Sequence, residues 1–228
     1  MYRIAIVQAG LSNPSTTRLL AEEFATVLTE VFEKSGTAAD LAIVDVRAVA
    51  GAVVDATLTS LRTPELEQAL QTVEEADAVV AISPTFKGSY VGLFKAFFDI
   101  VDTEALRGTP MVLAGTGGSE RHTLMLEHAM RPLFTFFGAD PVPTAIFAAT
   151  NDFGASAVAL RPRLERAGRE LLARLRASVP GSVATVGTAA SSGGDAPVSS
   201  VKKPLAERGF GEDVVPFATL MANIGKAR

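Results

Sequence analysis

YRIAIVQAGLSNPSTTRLLAEEFATVLTEVFEKSG, residues 2–36, reads as one strand, one loop and one helix. Ile4–Val7 is a short, continuous apolar run, the pattern of a strand covered on both faces of a parallel sheet. From Ser15 to Ser35 the residues Leu19, Leu20, Phe24, Val27, Leu28, Val31 and Phe32 recur at helical spacing. Gly36 then supplies a C-terminal stop. A buried strand feeding an amphipathic helix is the opening half of a βαβ unit.

The same alternation continues along the chain. Strand-like runs stand at Leu41–Val46, Ala78–Ile82, Met111–Ala114 and Thr144–Ala148. Helical patterns fall over Pro64–Ala76, Gly92–Val101, Leu124–Phe137 and Pro162–Ala177. Parallel strands require crossover connections, so the spacing predicts an α/β fold: a doubly wound, five-stranded parallel sheet in three layers. Residues 1–178 are expected to form this domain. A Gly/Ser/Pro-rich linker is read at 179–200, containing GTAASSGGDAPVSS, with a distinct tail at 201–228. In the tail, Phe217, Leu220, Met221 and Ile224 fall on one helical face by spacing, as a docking segment would.

Composition narrows the function classes. The 228 residues are 48% hydrophobic and 20% charged, which supports a sizeable core and argues against disorder over most of the chain. A net charge of -4 offers no basic surface, so neither nucleic acid nor anionic lipid is an expected partner. The arginines at 161, 163, 166, 169, 174 and 176 are interspersed with Glu165 and Glu170 and read as a solvated helix face. The chain has no cysteine, which removes disulfides, thiolate nucleophiles and iron–sulfur clusters. With two histidines, His122 and His128, and no cysteine, no metal site is expected. No run approaches the roughly 18 apolar residues that cross a bilayer. The N-terminus reads directly into a strand, and a cytoplasmic location is expected.

Doubly wound sheets bind ligands beyond the C-terminal ends of their strands, near the switch in strand order. After the first strand comes the loop 9–18, with hydroxyls at Ser12, Ser15, Thr16 and Thr17 ahead of a helix. Such residues cap helices, and as a group they also suit a terminal phosphate at a helix N-terminus. No GxGxxG or GKS/GKT pattern is present, which disfavours a Rossmann dinucleotide site and excludes a Walker loop. Arg18 is the fixed positive charge beside this loop. After the third strand, Ser83–Gly92 combines Pro84, Phe86, Gly88 and Tyr90, consistent with a turn or with a surface for a planar ligand. Lys95 and Asp99, four apart on the next helix, read as a local ion pair. After the fourth strand, Gly115–His122 brings consecutive glycines, either a sharp turn or a side-chain-free approach to a flat ligand. Arg121 and His122 suit helix capping or attraction of an anionic nucleotide.

Three motifs together, GLSNPSTTRLLA (10–21), SPTFKGSYVGLFKAFFD (83–99) and GTGGSERHTLMLEHAMRPLFTFFGA (115–139), make residues 2–177 resemble the NADPH-dependent FMN reductase family of the flavodoxin-like superfamily. The resemblance implies an enzyme that passes hydride from NADPH or NADH to FMN and uses no catalytic side chain. It implies that Ser12, Ser15, Thr16 and Thr17 hold the FMN phosphate. It further implies that Pro84, Thr85, Phe86, Lys87, Gly88 and Ser89 line the ring, with Thr116, Gly117, Gly118 and Ser119 on its other side. Phe86 is a departure, since relatives often carry tyrosine there, so a phenol-dependent hydrogen bond is absent. The linker and tail resemble a subgroup thought to partner luciferase-like flavin monooxygenases, and homodimers or homotetramers are usual among such proteins. The competing readings are a flavodoxin-type electron carrier, a quinone or azo reductase with bound FMN, and an interaction module without enzymatic activity.

Overall fold

A computed structural model describes residues 1–153 and 157–178 of the chain. The linker and tail expected at 179–200 and 201–228 lie outside the described residues. The elements run β1 (Tyr2–Gln8), α1 (Thr16–Lys34), β2 (Ala39–Asp45), α2 (Ala50–Thr59), α3 (Pro64–Glu74), β3 (Ala78–Phe86), β4 (Ser89–Tyr90) and α4 (Gly92–Asp99). They continue through β5 (Pro110–Gly117), α5 (Arg131–Phe136), β6 (Asp140–Pro141), β7 (Ile146–Ala149) and α6 (Ala157–Ala177).

The parallel sheet has the order β2-β1-β3-β5, and β6 and β7 share the fifth position beside β5. The arrangement is the doubly wound parallel sheet expected from the sequence, in the order of flavodoxin-like folds. Ile4 of β1 pairs with Leu41 on one side and Ala78 on the other, so β1 is central. Side chains alternate across a strand. Ile4 and Ile6 therefore join one core with Leu20, Phe24 and Leu28 of α1 and Leu164 and Leu171 of α6. Ala5 and Val7 face the other core, with Val53 of α2, Leu66 and Leu70 of α3, Phe94 and Phe98 of α4 and Phe134 of α5. A Cβ on Gly168 would come within 3.1 Å of Leu28 Cδ2, so α6 lies close on α1 at that point. Among the described residues, no helix is long and apolar enough to cross a membrane.

The structure departs from the sequence reading in four places. Helix α2 has no counterpart among the expected elements, because AGAVVDATLT is small and apolar nearly all round, which blurs helical periodicity. The helix expected at 124–137 is divided: a π-helical turn covers Leu126–Met130 before α5 begins. Pro132 has no N–H for the carbonyl four residues earlier, and the Arg131 N–H bonds to the Leu126 carbonyl five residues back. The fifth strand is split into β6 and β7, and Pro143 between them cannot donate to a ladder. Helix α6 begins at Ala157 and carries Pro162 inside it, where burial of Leu160 and Leu164 offsets the lost hydrogen bond.

The second core is built on aromatic rings. Phe98 lies 4.8 Å from Phe94 and 4.9 Å from Phe134 between centroids, the latter pair edge to face. Phe134→Ala should cost about 3–5 kcal/mol by opening a cavity among them. Phe136 is 74% exposed, and Phe136→Ala should change stability by less than about 0.5 kcal/mol. Urea unfolding of the two variants checks both expectations.

Candidate functional site

Strands β1 and β3 are neighbours, yet the helices that follow them, α1 and α4, pack on opposite faces. Their loops must part at the carboxyl edge, which leaves a crevice. The structure has a cleft of about 400 Å³ at this edge. Its walls bring together Ser12, Thr16 and Thr17 from the first loop, Pro84, Thr85 and Phe86 from β3, and Thr116, Gly117 and Gly118 from β5.

Local chemistry shapes the first loop. The Gly10 N–H donates to the buried Gln8 Oε1 at 2.8 Å. A Cβ at Gly10 would stand 2.1 Å from Ser15 Oγ, so the loop closes only over glycine. Ser15 is the N-cap of α1, and its Oγ accepts the Arg18 N–H at 3.3 Å. It is not among the residues that line the cleft, and as an acceptor here it keeps its own hydroxyl proton for a further partner. The Thr16 and Thr17 amides occupy the first two helical positions, where backbone N–H groups have no acceptor within the helix. Thr17 Oγ1 and Thr116 Oγ1 are 2.8 Å apart and buried, joining the first loop to the end of β5.

The third-strand loop is a β-hairpin: Thr85 pairs with Tyr90 and Phe86 with Ser89. Lys87 and Gly88 form its two-residue turn with φ of 52° and 85°. Both angles are positive, as a type I′ hairpin turn demands. Lys87, Gly88 and Ser89 thus build the hairpin and do not appear among the cleft-lining residues. The Val91 N–H donates to the buried Ser83 Oγ at 3.0 Å, which ties the hairpin to its base. Phe86 stands half exposed at the rim. Thr85 Oγ1 is buried and has no hydrogen-bond partner.

At the end of β5, Gly117 is required by packing. A Cβ there would meet Phe147 Cζ at 2.9 Å, whereas nothing lies within 4 Å of a Cβ on Gly118. Ser119 accepts from Arg121 Nε at 3.3 Å and opens the short turn Glu120–His122 outside the cleft. His128 is exposed in the π-helical turn, and Lys95 pairs with Asp99 as expected.

Among the described residues, no titratable side chain lines the cleft. Arg18 is engaged by Glu22 at 3.0 Å and Asp45 at 3.8 Å, and its hydrogen bond to Glu22 holds its pKa above the ordinary arginine value. By sequence alone Arg18 is the cation beside this loop. The fold adds Arg47, whose guanidinium donates to the Ser12 carbonyl at 3.1 Å across a separation of 35 residues. Leu11 and Thr150 also line the cleft and were not anticipated. Thr150 had one signal, its place just past the carboxyl end of the fifth strand. Among the described residues, no group of three His, Cys, Asp or Glu is placed to hold a metal ion.

The sequence profile of the NADPH-dependent FMN reductase family matches residues 2–154. The chain is 36% identical over 171 residues to the NADH-dependent FMN reductase SfnF of Pseudomonas putida, covering 75% of this chain and 90% of that protein. It is 37% identical over 153 residues to an FMN reductase (NADPH) of Pseudomonas aeruginosa, covering 67% and 79%. The crystal structure of an oxidoreductase from Corynebacterium diphtheriae superposes with a TM-score of 0.74 at 38% identity, over 78% of this chain and 99% of the other.

The two glycines of the cleft make separable expectations for stability. Gly117→Val should destabilise by about 1–3 kcal/mol through overpacking against Phe147. Gly118→Val should leave the melting temperature of the ligand-free protein within about 2 °C of the parent, since its side chain enters open space. Thermal unfolding without added ligand distinguishes the two.

Proposed function

The chain belongs to the NADPH-dependent FMN reductase family and is an NAD(P)H:flavin oxidoreductase; from that premise we propose that the cleft between the first loop, the β3–β4 hairpin and the end of β5 is its FMN site. The observation that carries this placement is Thr85 Oγ1. It is the buried side-chain polar atom without a partner among the described residues, and it stands in the wall of this cleft. A buried hydroxyl left unpaired costs about 1–3 kcal/mol, and a polar ring edge against it removes that cost.

The donor set fits the rest of the group. Ser12, Thr16 and Thr17 offer hydroxyls, α1 offers two free amides and the positive end of its dipole, and Ser15 retains a proton for donation. These neutral donors suit a phosphate monoester. Phe86 gives the ring an apolar flank at the rim, and Gly118 leaves the opposite side open for a second flat molecule. Bound FMN supplies the acceptor ring for hydride from the nicotinamide. The protein's own contribution is to hold two rings in register, and the neutral side chains that line the wall need not move a proton there.

In this reading the reduced flavin serves a partner flavin monooxygenase of the luciferase-like class. Among the described residues no cation lines the cleft, and the lack of a bidentate arginine–phosphate contact supports a flavin that exchanges. The protein works as a homodimer or homotetramer, supported by large apolar side chains on its surface: Leu58 is 79% exposed and Leu124 64%.

Anaerobic mixing with FMN and NADPH or NADH should bleach the flavin absorbance; binding without bleaching would instead mark an electron carrier. Ser15→Ala and Thr16→Ala should each weaken FMN binding about tenfold, from loss of a hydrogen bond to a charged group, while riboflavin binding stays within about twofold. Equal losses for both flavins would move the phosphate elsewhere. Partner coupling is assigned to the C-terminal tail on its sequence. Removing residues 179–228 should therefore leave anaerobic flavin reduction near the parent rate and lower the turnover of a coupled monooxygenase. Loss of flavin binding in a folded truncated chain would place the tail in the site.

A further inference from the structure

Thr17 and Thr116 meet at the floor of the cleft, each 2% exposed, with their Oγ1 atoms 2.8 Å apart. A hydroxyl carries one proton and donates once. Within the pair one proton is spent on the partner, so a single hydroxyl of the two keeps a proton for a third group. The third group sets the direction. An anion at the N-terminus of α1 accepts a hydrogen bond from whichever hydroxyl of the pair lies in the first turn of that helix, which is Thr17. Thr17 must then accept from Thr116.

We infer that Thr116 is a positioning residue for the flavin phosphate, acting through Thr17: Thr116 donates to Thr17, and Thr17 donates to the phosphate. The inference rests on the proposed phosphate site, and it revises the expectation that Thr116 lines the flavin ring. Two features suit Thr116 to the role. Its backbone is locked in register between Pro84 of β3 and Ala148 of β7, so its hydroxyl starts from a fixed point. Both oxygens are shielded from water, where one hydrogen bond polarises the next and the pair donates more strongly than an isolated threonine. The residue also accounts for a threonine, rather than a further glycine, between Gly115 and Gly117 in a segment that packs against Phe147.

The test measures dissociation constants of FMN and riboflavin by fluorescence on the full-length chain, without turnover. Thr116→Val keeps the shape and removes the hydroxyl. It should weaken FMN about tenfold, leave riboflavin within about twofold, and be restored by Thr116→Ser. Thr17→Val should show the same selectivity, and the double variant should bind FMN no more weakly than Thr17→Val alone. Equal losses for both flavins in Thr116→Val would return Thr116 to the ring and overturn the relay. A selective loss in Thr17→Val with none in Thr116→Val would overturn the relay while sparing the phosphate site. Non-selective losses in Thr17→Val would overturn the phosphate site and the relay together. If Thr116→Val fails to fold, as judged by its melting curve, Thr116→Cys takes its place with the same expected selectivity, and an unselective loss there overturns the relay.

Discussion

The functional end of the molecule depends on one constraint: β1 and β3 are hydrogen-bonded neighbours whose following helices leave toward opposite faces. A chain that turned both helices to one side would close the loops over each other. Here the loops part, and their backbone amides, hydroxyls and one hairpin face a shared space. Cores on both sides hold the strands that define it. Leu20, Phe24 and Leu28 fix the axis of α1, and with it the direction in which the Thr16 and Thr17 amides point. Phe94 and Phe98 fix α4, against which the hairpin closes.

Within that frame the site is assembled from small residues whose size is set by neighbours. Gly10 is small because Ser15 Oγ occupies the place of a Cβ, and Gly117 is small because Phe147 does. Gly118 has no such neighbour, and its freedom is the feature left over for a ligand. The same contrast separates Ser15 from Thr17. Ser15 caps a helix, a duty any N-cap serine performs. Thr17 is paired at the buried floor with a hydroxyl from β5, which a cap does not require. The proposed flavin site thus rests on neutral groups whose positions are over-determined by packing. Nearby cations have other duties: Arg18 pairs with Glu22 and Asp45, and Arg47 braces the Ser12 carbonyl.

The sequence carried the sheet because both-face burial writes itself as continuous runs such as Ile4–Val7 and Ala78–Ile82, and amphipathic helices such as α1 carry a period of their own. It carried the three loops because position after a strand is a topological fact that short motifs reveal. It lost α2, whose small apolar residues have no polar face to mark a period. It lost the division of 124–137, since Pro132 acts through a carbonyl four residues away whose alternative partner cannot be read locally. Within the loops it grouped residues by chemical type, and so did not distinguish the hairpin turn at Lys87 and Gly88 from Thr85 in the cleft wall.

Residue order alone determined the doubly wound α/β class, the family and the segments that reach the carboxyl edge, because each is encoded in local periodicity and contiguous motifs. Tertiary structure alone decided which side chains of those segments face one another. Thr116 meets Thr17 across 99 positions, Arg47 reaches Ser12 across 35, and Thr85 is left with a buried hydroxyl and no partner. Such pairings follow from strand register and from the space left by neighbours such as Phe147. Those quantities exist only once distant parts of the chain have been packed together.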